Sequence, residues 1–177
     1  AKQLNELVTE CGHLKTGFVG TPYLLHALSE NGYAETAYGL LLREEYPSWL
    51  FSVKMGATTI WEHWDSMRED GSMWDTSMNS FNHYAYGSVA DWLYGVAAGI
   101  NIDETKPGFE HIIIKPVTDS RLTFVNASID TRKGVVKSGW KTENGKTTYS
   151  VEIPEGATAT VIIGGETTEI GAGKYEF

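Results

Sequence analysis

Cysteine, basic residues and long apolar runs are scarce in this sequence, and each scarcity excludes a class of protein. Cys11 is the only cysteine, which excludes an internal disulfide framework and leaves the redox compartment open. The longest uncharged apolar run, from Trp92 to Ile100, is about half of the ~20 residues that a membrane-spanning helix needs. The chain opens at Ala1 in the middle of a helical pattern and shows no signal peptide, so we expect it to be a piece of a longer protein.

Acidic residues outnumber basic ones only in the first part of the chain. Residues 1–104 contain 5 Lys or Arg against 14 Asp or Glu, whereas residues 105–177 contain 9 of each kind. Nucleic acids and anionic membranes bind basic patches, so we expect neither as a partner. The change in charge also predicts a domain boundary near residue 104.

A helical spacing of apolar residues dominates the first part. It predicts helices over residues 2–11, from Thr21-Pro22 to about residue 30, and over residues 33–45, of which the last two form a hairpin. Segment 46–80 has no period, and its aromatic content predicts a functional loop rather than disorder. A further helix is predicted over residues 82–99, with His83 near its start, where the helix dipole favours an anionic or hydroxyl-rich partner.

Short β-prone runs separated by turn residues fill the second part. They span residues 112–115, 121–130, 135–140, 147–153, 157–163 and 174–177, and Asn144-Gly145 is a type I′ hairpin signal. The pattern predicts an antiparallel β-sandwich. Trp140, Tyr149 and Tyr175 are its only candidates for a carbohydrate-binding row. A packing domain is the favoured alternative, because apolar residues in sandwiches normally face the core.

The stretch from Ala57 to Asp65 places one carboxylate, Glu62, among Trp61, His63 and Trp64. An acid beside a large aromatic surface suits a site that stacks the apolar face of a sugar while the carboxylate acts on it. The alternative interpretation is a core tryptophan pair beside a structural ion pair.

The sequence motifs of metal sites, serine nucleophiles, phosphate binding and dinucleotide binding are not found in this chain. The histidines, at positions 13, 26, 63, 83 and 111, have no paired-ligand spacing, so neither a metal nor another cofactor is expected. The sequence contains no Gly-x-Ser-x-Gly nucleophile elbow, no glycine-rich loop that would bind a phosphate and no dinucleotide-binding fingerprint. Carboxylate chemistry remains, and glycosidases use two carboxyl groups. Glu62 is the best candidate, with Asp65, Asp70 and Asp75 as weaker partners.

Several motifs in the same order make the chain resemble the bacterial α-L-rhamnosidases of glycoside hydrolase family 78. They occupy residues 13–25, 31–34, 46–49, 56–65, 80–94 and 112–116, and include Thr-Thr-Ile-Trp-Glu62 and His83-Tyr-Ala-Tyr-Gly. The resemblance implies an α+β multidomain fold. Residues 1–104 would be the last part of a catalytic (α/α)6 barrel, and residues 105–177 the C-terminal β-sandwich.

The resemblance also implies roles for single residues. Glu62 resembles the family's general base, which activates water for inverting attack on a terminal α-L-rhamnose, and His83 resembles a residue that contacts the sugar. Trp61 or Trp64 would form part of an aromatic wall. His63 stands where the family often has arginine, a departure that alters local charge pairing without touching the base.

Two further expectations concern the chain by itself. The family's general acid lies in an upstream motif that is not found here, so we expect this polypeptide alone to be inactive. Helices of a partial barrel leave apolar faces uncovered, so we expect self-association. The alternatives are another (α/α)6 glycosidase, glucoamylase-like or trehalase-like, and a non-catalytic carbohydrate-binding module. The sequence leaves the compartment undecided between cytoplasm and export.

Overall fold

Short helices joined by turns make up the first part of the chain. In a computed structural model that describes residues 1–177, they are α1 (Lys2–Cys11), α2 (Thr21–Ser29), α3 (Ala34–Leu41) and α4 (Trp49–Lys54). They belong to one compact unit, Ala1–Ala90. None of the helices is long and apolar enough to span a bilayer.

The hairpin of α2 and α3 carries the core of this unit. Pro22 lies in the first turn of α2, where its missing N–H costs no hydrogen bond. The side chains that the two helices bury are apolar and recur at helical spacing: Leu24, Leu25, Leu28, Ala37, Tyr38 and Leu40. The predicted hairpin is confirmed, although α3 ends at Leu41 rather than at residue 45.

Helix α4 lies inside the segment that the sequence predicts as a loop, so that prediction is wrong for Trp49–Lys54. The buried hydroxyl of Ser48 accepts a hydrogen bond from the Phe51 N–H at 3.0 Å and caps the helix. The irregular loop therefore begins only after α4.

The predicted helix over residues 82–99 is wrong as one continuous element. The chain forms a 3₁₀ turn (Ala85–Ser88), then α5 (Val89–Trp92), then a π turn (Leu93–Ala97). Asn101 donates its side-chain amide to the Gly95 carbonyl at 2.8 Å. The regular α-helical hydrogen-bond ladder ends where the π turn begins, and Gly99 follows with a left-handed φ of 76°.

Eight strands form two four-stranded sheets in the second unit, Asp91–Phe177. They are β1 (Ile100–Ile102), β2 (His111–Ile114), β3 (Phe124–Thr131), β4 (Gly134–Glu143), β5 (Lys146–Ile153), β6 (Thr158–Ile163), β7 (Glu166–Ile170) and β8 (Gly173–Glu176). The strand orders are β1-β2-β6-β7 and β3-β4-β5-β8. Strand β1 precedes residue 105, where the charge pattern places the start of the second domain.

Side chains from both sheets meet in one core, which gives the predicted β-sandwich. Its buried members are Ile100, Ile112, Ile114, Val136, Val151, Ile153, Ala157, Ala159, Val161 and Ile170. Pairing is antiparallel except between β2 and β6, which run parallel. Asn144 and Gly145 join β4 to β5 with φ of 51° and 77°, the positive values that a type I′ turn requires.

Candidate functional site

Two distant stretches of backbone lie side by side at the candidate site. The Glu62 N–H donates to the Ser80 carbonyl at 2.9 Å, and the His83 N–H donates to the Ile60 carbonyl at 2.8 Å. These hydrogen bonds bring Glu62 and His83, which come from separate motifs, onto adjacent segments of the first unit.

The Glu62 carboxylate is held from one side. Its Oε2 accepts a hydrogen bond from the Ser80 N–H at 2.8 Å, so Ser80 binds Glu62 through both its N–H and its carbonyl. The Glu62 side chain remains 18% exposed. A carboxylate that is fixed by one oxygen and still reachable from solvent is suited to accept a proton from water.

The imidazole of His83 has a defined orientation. Its Nδ1 accepts a hydrogen bond from the Ala85 N–H at 3.3 Å, so the neutral ring carries its proton on Nε2. The ring stacks on Phe18, with centroids 4.8 Å apart and planes 18° apart, and on Tyr84 at 5.5 Å and 6°. Nε2 is therefore a hydrogen-bond donor that the aromatic neighbours hold in place.

Trp64 belongs to an aromatic cluster with Tyr86 and Trp49. It stacks on Tyr86, with centroids 3.7 Å and planes 15° apart, and meets Trp49 edge-on at 5.3 Å. The indole N–H of Trp49 donates to the Tyr86 carbonyl at 2.9 Å. The cluster fixes the loop that carries Glu62 to the 3₁₀ turn that follows His83.

Trp61 is only 5% exposed and packs edge-on against Phe81 at 5.4 Å. This burial corresponds to the core-tryptophan interpretation of the sequence. A sugar-contacting role of Trp61 or Trp64 stays a prediction.

His63 lies beside Glu62 and is held by packing. Its ring stacks on Trp74, with centroids 3.7 Å and planes 15° apart. Its Nε2 is buried without a hydrogen-bond partner and lies 3.9 Å from Glu62 Oε1. The separation between His63 Nε2 and Glu62 Oε1 is therefore longer than a hydrogen bond.

The other acids of the loop have local partners. Asp65 pairs with Arg68 at 3.5 Å. Asp70 accepts hydrogen bonds from Ser72, which lower the pKa of its carboxyl group, and Asp75 has a lowered pKa because Ser77 and the Met78 N–H donate to it. A general acid must be protonated at its working pH, so Asp70 and Asp75 are poor proton donors.

A cavity of about 430 Å³ lies beside the loop, lined by Tyr46, Phe51, Asp65, Arg68, Glu69 and Asp70. Burial, and next the Asp65 carboxylate, raise the pKa of the Tyr46 phenol, so it stays a neutral donor at ordinary pH. No group of three or more His, Cys, Asp or Glu side chains forms a cluster that could hold a metal ion.

In the β-sandwich, Trp140 is buried and donates its indole N–H to the Ala97 carbonyl at 2.9 Å. Tyr149 and Tyr175 are partly buried. Trp140 is thus a packing residue, which removes one of the three candidates for an exposed aromatic row.

Three contributors to the site were not predicted. Ser80 acts through its backbone N–H, which any residue except proline supplies, so no sequence signal could find it. Phe18 and Trp74 act as stacking partners of His83 and His63. Their aromatic nature was visible in the sequence, but their pairing depends on the tertiary fold.

Two family models match the chain. The model for the bacterial alpha-L-rhamnosidase 6 hairpin glycosidase domain matches residues 1–97, and the model for the bacterial alpha-L-rhamnosidase C-terminal domain matches residues 99–177. The resemblance that the motifs indicated is confirmed.

Curated relatives agree with these matches. An alpha-L-rhamnosidase of Streptomyces avermitilis is 40% identical over 151 residues, which cover 85% of this chain and 14% of that protein. An alpha-L-rhamnosidase of Formosa agariphila is 39% identical over 169 residues, which cover 95% of this chain and 18% of that protein. The chain thus spans less than a fifth of the length of these relatives.

Solved structures show the same architecture. The native alpha-L-rhamnosidase of Aspergillus terreus matches 99% of this chain and 21% of its own chain, with a TM-score of 0.94 and 36% identity. The Streptomyces avermitilis alpha-L-rhamnosidase complexed with L-rhamnose matches 97% and 19%, with a TM-score of 0.89 and 34% identity. The predicted fold, a helical hairpin domain followed by a β-sandwich, is confirmed. The chain therefore belongs to the bacterial alpha-L-rhamnosidase family, with a six-hairpin glycosidase segment followed by the C-terminal domain.

Proposed function

We propose that this chain is part of an inverting α-L-rhamnosidase, which hydrolyses terminal α-L-rhamnose from glycosides with Glu62 as the general base. The observation that carries the proposal is the Glu62 carboxylate, fixed by the Ser80 N–H at 2.8 Å yet 18% exposed, on a segment adjacent to His83. The names of the relatives support the choice of sugar, and a rhamnose-containing glycoside is the proposed partner.

The proposed reaction uses the two oxygens of Glu62 differently. Oε2 stays bound to the Ser80 N–H, while the carboxylate accepts one proton from a water molecule. The water oxygen bonds to the anomeric carbon as the glycosidic C–O bond breaks on the opposite face, and the leaving oxygen takes a proton from a general acid. Attack from the opposite face inverts the anomeric configuration, which needs carboxyl groups separated by about 6.5–9.5 Å.

His83 supplies orientation in this scheme. Because the Ala85 N–H occupies Nδ1, the Nε2–H is the donor available to a sugar hydroxyl. Stacking on Phe18 limits rotation of the ring, so little conformational entropy is lost when the sugar binds.

The general acid is proposed to lie outside these 177 residues. Hydrogen bonds lower the pKa of Asp70 and Asp75, so neither of these two loop acids is suited to hold a proton, and Asp65 lies 3.5 Å from the Arg68 guanidinium. We therefore expect the 177-residue chain alone to release no rhamnose from an aryl rhamnoside.

Exposed apolar side chains support the proposed self-association of the isolated chain. Leu7, Val19, Tyr23 and Val53 are large, apolar and more than half exposed in the helical unit. Light scattering should show assemblies whose mass grows with concentration, whereas a monomer at high concentration would contradict this expectation. Since the helical unit is acidic, we expect neither nucleic acid nor anionic membranes to bind it.

Glu62→Gln in the full-length enzyme tests the base. The amide keeps the shape of the side chain but cannot accept the proton, so we expect kcat to fall at least about 10²-fold on an aryl rhamnoside. Glu10→Gln, at an exposed acid of helix α1, is the control and should leave kcat unchanged. Retained activity of Glu62→Gln, or a first product with retained anomeric configuration by NMR, would overturn the assignment.

A further inference from the structure

The imidazole of His63 contains a buried polar atom that the proposed mechanism does not use. Nε2 is shielded from solvent and has no hydrogen-bond partner. A buried polar group without a partner costs about 1–3 kcal/mol, so such a group in a folded protein needs an explanation. Nε2 lies 3.9 Å from Glu62 Oε1, the carboxylate oxygen opposite to the one that binds Ser80.

Packing and backbone contacts both fix His63. The ring stacks on Trp74 at 3.7 Å and 15°. The hydroxyl of Ser66, which is fully buried, accepts from the His63 N–H and donates to the His63 carbonyl, both at 3.1 Å. These contacts orient the ring while Nε2 stays without a partner.

The geometry points to His63 as a positioning residue for Glu62. We propose that Nε2–H of His63 donates to Glu62 Oε1 when substrate is bound, so that the carboxylate is held by Ser80 on one oxygen and by His63 on the other. The present separation of 3.9 Å closes to hydrogen-bond length with a shift of about 1 Å.

This arrangement leaves Glu62 competent as a base. A carboxylate has about four acceptor positions, so Oε1 can accept from His63 and still bind the attacking water. Misplacement of a reacting group by about 1 Å costs up to ~10²-fold in rate, so a second anchor is expected to act on kcat rather than on sugar binding. The inference rests on the proposed function of Glu62.

Two substitutions separate the hydrogen bond from the packing. His63→Phe keeps an aromatic ring against Trp74 but removes the donor, whereas His63→Gln keeps an amide donor near the position of Nε2. In the full-length enzyme we expect His63→Phe to lower kcat about ten- to hundred-fold, with KM changed less than about twofold. His63→Gln should retain kcat within about threefold of the parent.

A second histidine provides the matched control. His26 lies in helix α2, where its Nε2 is also buried and its Nδ1 lies 3.9 Å from Glu30 Oε1. His26→Gln should leave kcat and KM unchanged.

The outcomes distinguish this inference from the proposed function. A parental kcat in His63→Phe, or an equal loss in His63→Phe and His63→Gln, would overturn the positioning role while Glu62→Gln still abolishes activity. Full activity of Glu62→Gln, or no rhamnose release by the parent enzyme, would instead overturn the proposed function and the inference with it.

Discussion

Among the glycines of the second unit, Gly99 leaves the least room for a side chain, and its replacement by alanine is a direct test of the structure. Its φ is +76°, and a Cβ at this position would lie 2.1 Å from the Pro116 nitrogen and 2.4 Å from the Lys115 carbonyl carbon. The Lys115 N–H donates to the Gly99 carbonyl at 2.8 Å. The backbone at Gly99 and the backbone at Lys115 and Pro116 therefore lie so close together that only glycine fits at position 99.

Two costs add in Gly99→Ala. The left-handed conformation costs a residue with a side chain roughly 1–2 kcal/mol. The overlap is with backbone atoms that cannot rotate away, and overpacking of this kind costs about 1–3 kcal/mol. We expect the free energy of unfolding of the second unit to fall by about 2–5 kcal/mol.

Urea denaturation followed by far-UV circular dichroism measures the difference. Gly164→Ala is the matched control, because Gly164 has φ of +60° but nothing within 4 Å of the added Cβ. This control carries only the conformational cost of roughly 1–2 kcal/mol. If both variants unfold at the same urea concentration, the close contact between Gly99 and Pro116 is refuted.

Two other predictions concern binding and acid stability. His83→Phe preserves an aromatic ring but removes the Nε2–H donor to the sugar. Because the lost hydrogen bond is worth about 1 kcal/mol, the KM of the full-length enzyme should rise about five- to tenfold. An unchanged KM would contradict the proposed contact between His83 and the sugar. Arg121 donates to the Asp119 carboxylate at 2.7 and 2.6 Å and lowers the pKa of Asp119. A lowered folded-state pKa stabilises the fold above the unfolded-state pKa of about 3.9, and the benefit is lost as pH falls through the folded value. Asp119→Asn should therefore be less stable than the parent at pH 7 in urea unfolding, and the difference should shrink as the pH falls below the unfolded-state pKa of about 3.9.

The sequence predicts those parts of the fold whose signals are local. Thr21-Pro22 begins α2, and Asn144-Gly145 forms the hairpin turn between β4 and β5, because proline and positive-φ residues act through their own backbone.

The two strands that the sequence does not predict, β1 and β7, have weak local signals. β1 follows directly after a helical pattern, and four of the five residues of β7, Glu166–Ile170, are exposed, so β7 carries no alternation of burial.

The parallel pairing of β2 with β6 is also beyond the reach of a pattern. His111 of β2 lies in register with Thr158 of β6, and its ring nitrogens contact the Thr158 and Thr160 hydroxyls at 2.6 and 2.8 Å. Forty-six residues lie between His111 and Thr158 in the sequence, and no local propensity specifies such a pairing. The pairing of β2 with β6 can be identified only from the folded structure.

The aromatic residues around Glu62 are interpreted differently once their contacts are known. In the sequence, Trp61 and Trp64 look like surfaces for a sugar, since aromatic rings and an acid occur together. In the structure, Trp61 is buried against Phe81, and Trp64 is stacked on Tyr86. These contacts make the loop rigid, because each ring fixes a neighbouring segment of backbone.

Backbone hydrogen bonds orient the polar side chains at the candidate site. The polar groups assigned to the proposed chemistry are the Glu62 carboxylate and the Nε2–H of His83, and backbone N–H donors hold these two side chains at 2.8 and 3.3 Å. A proton acceptor that is fixed before substrate arrives loses little entropy during reaction, so its geometry contributes directly to kcat. By the same reasoning, and under the proposed mechanism, a small movement of the unpartnered His63 Nε2, which lies 3.9 Å from Glu62, would change the rate.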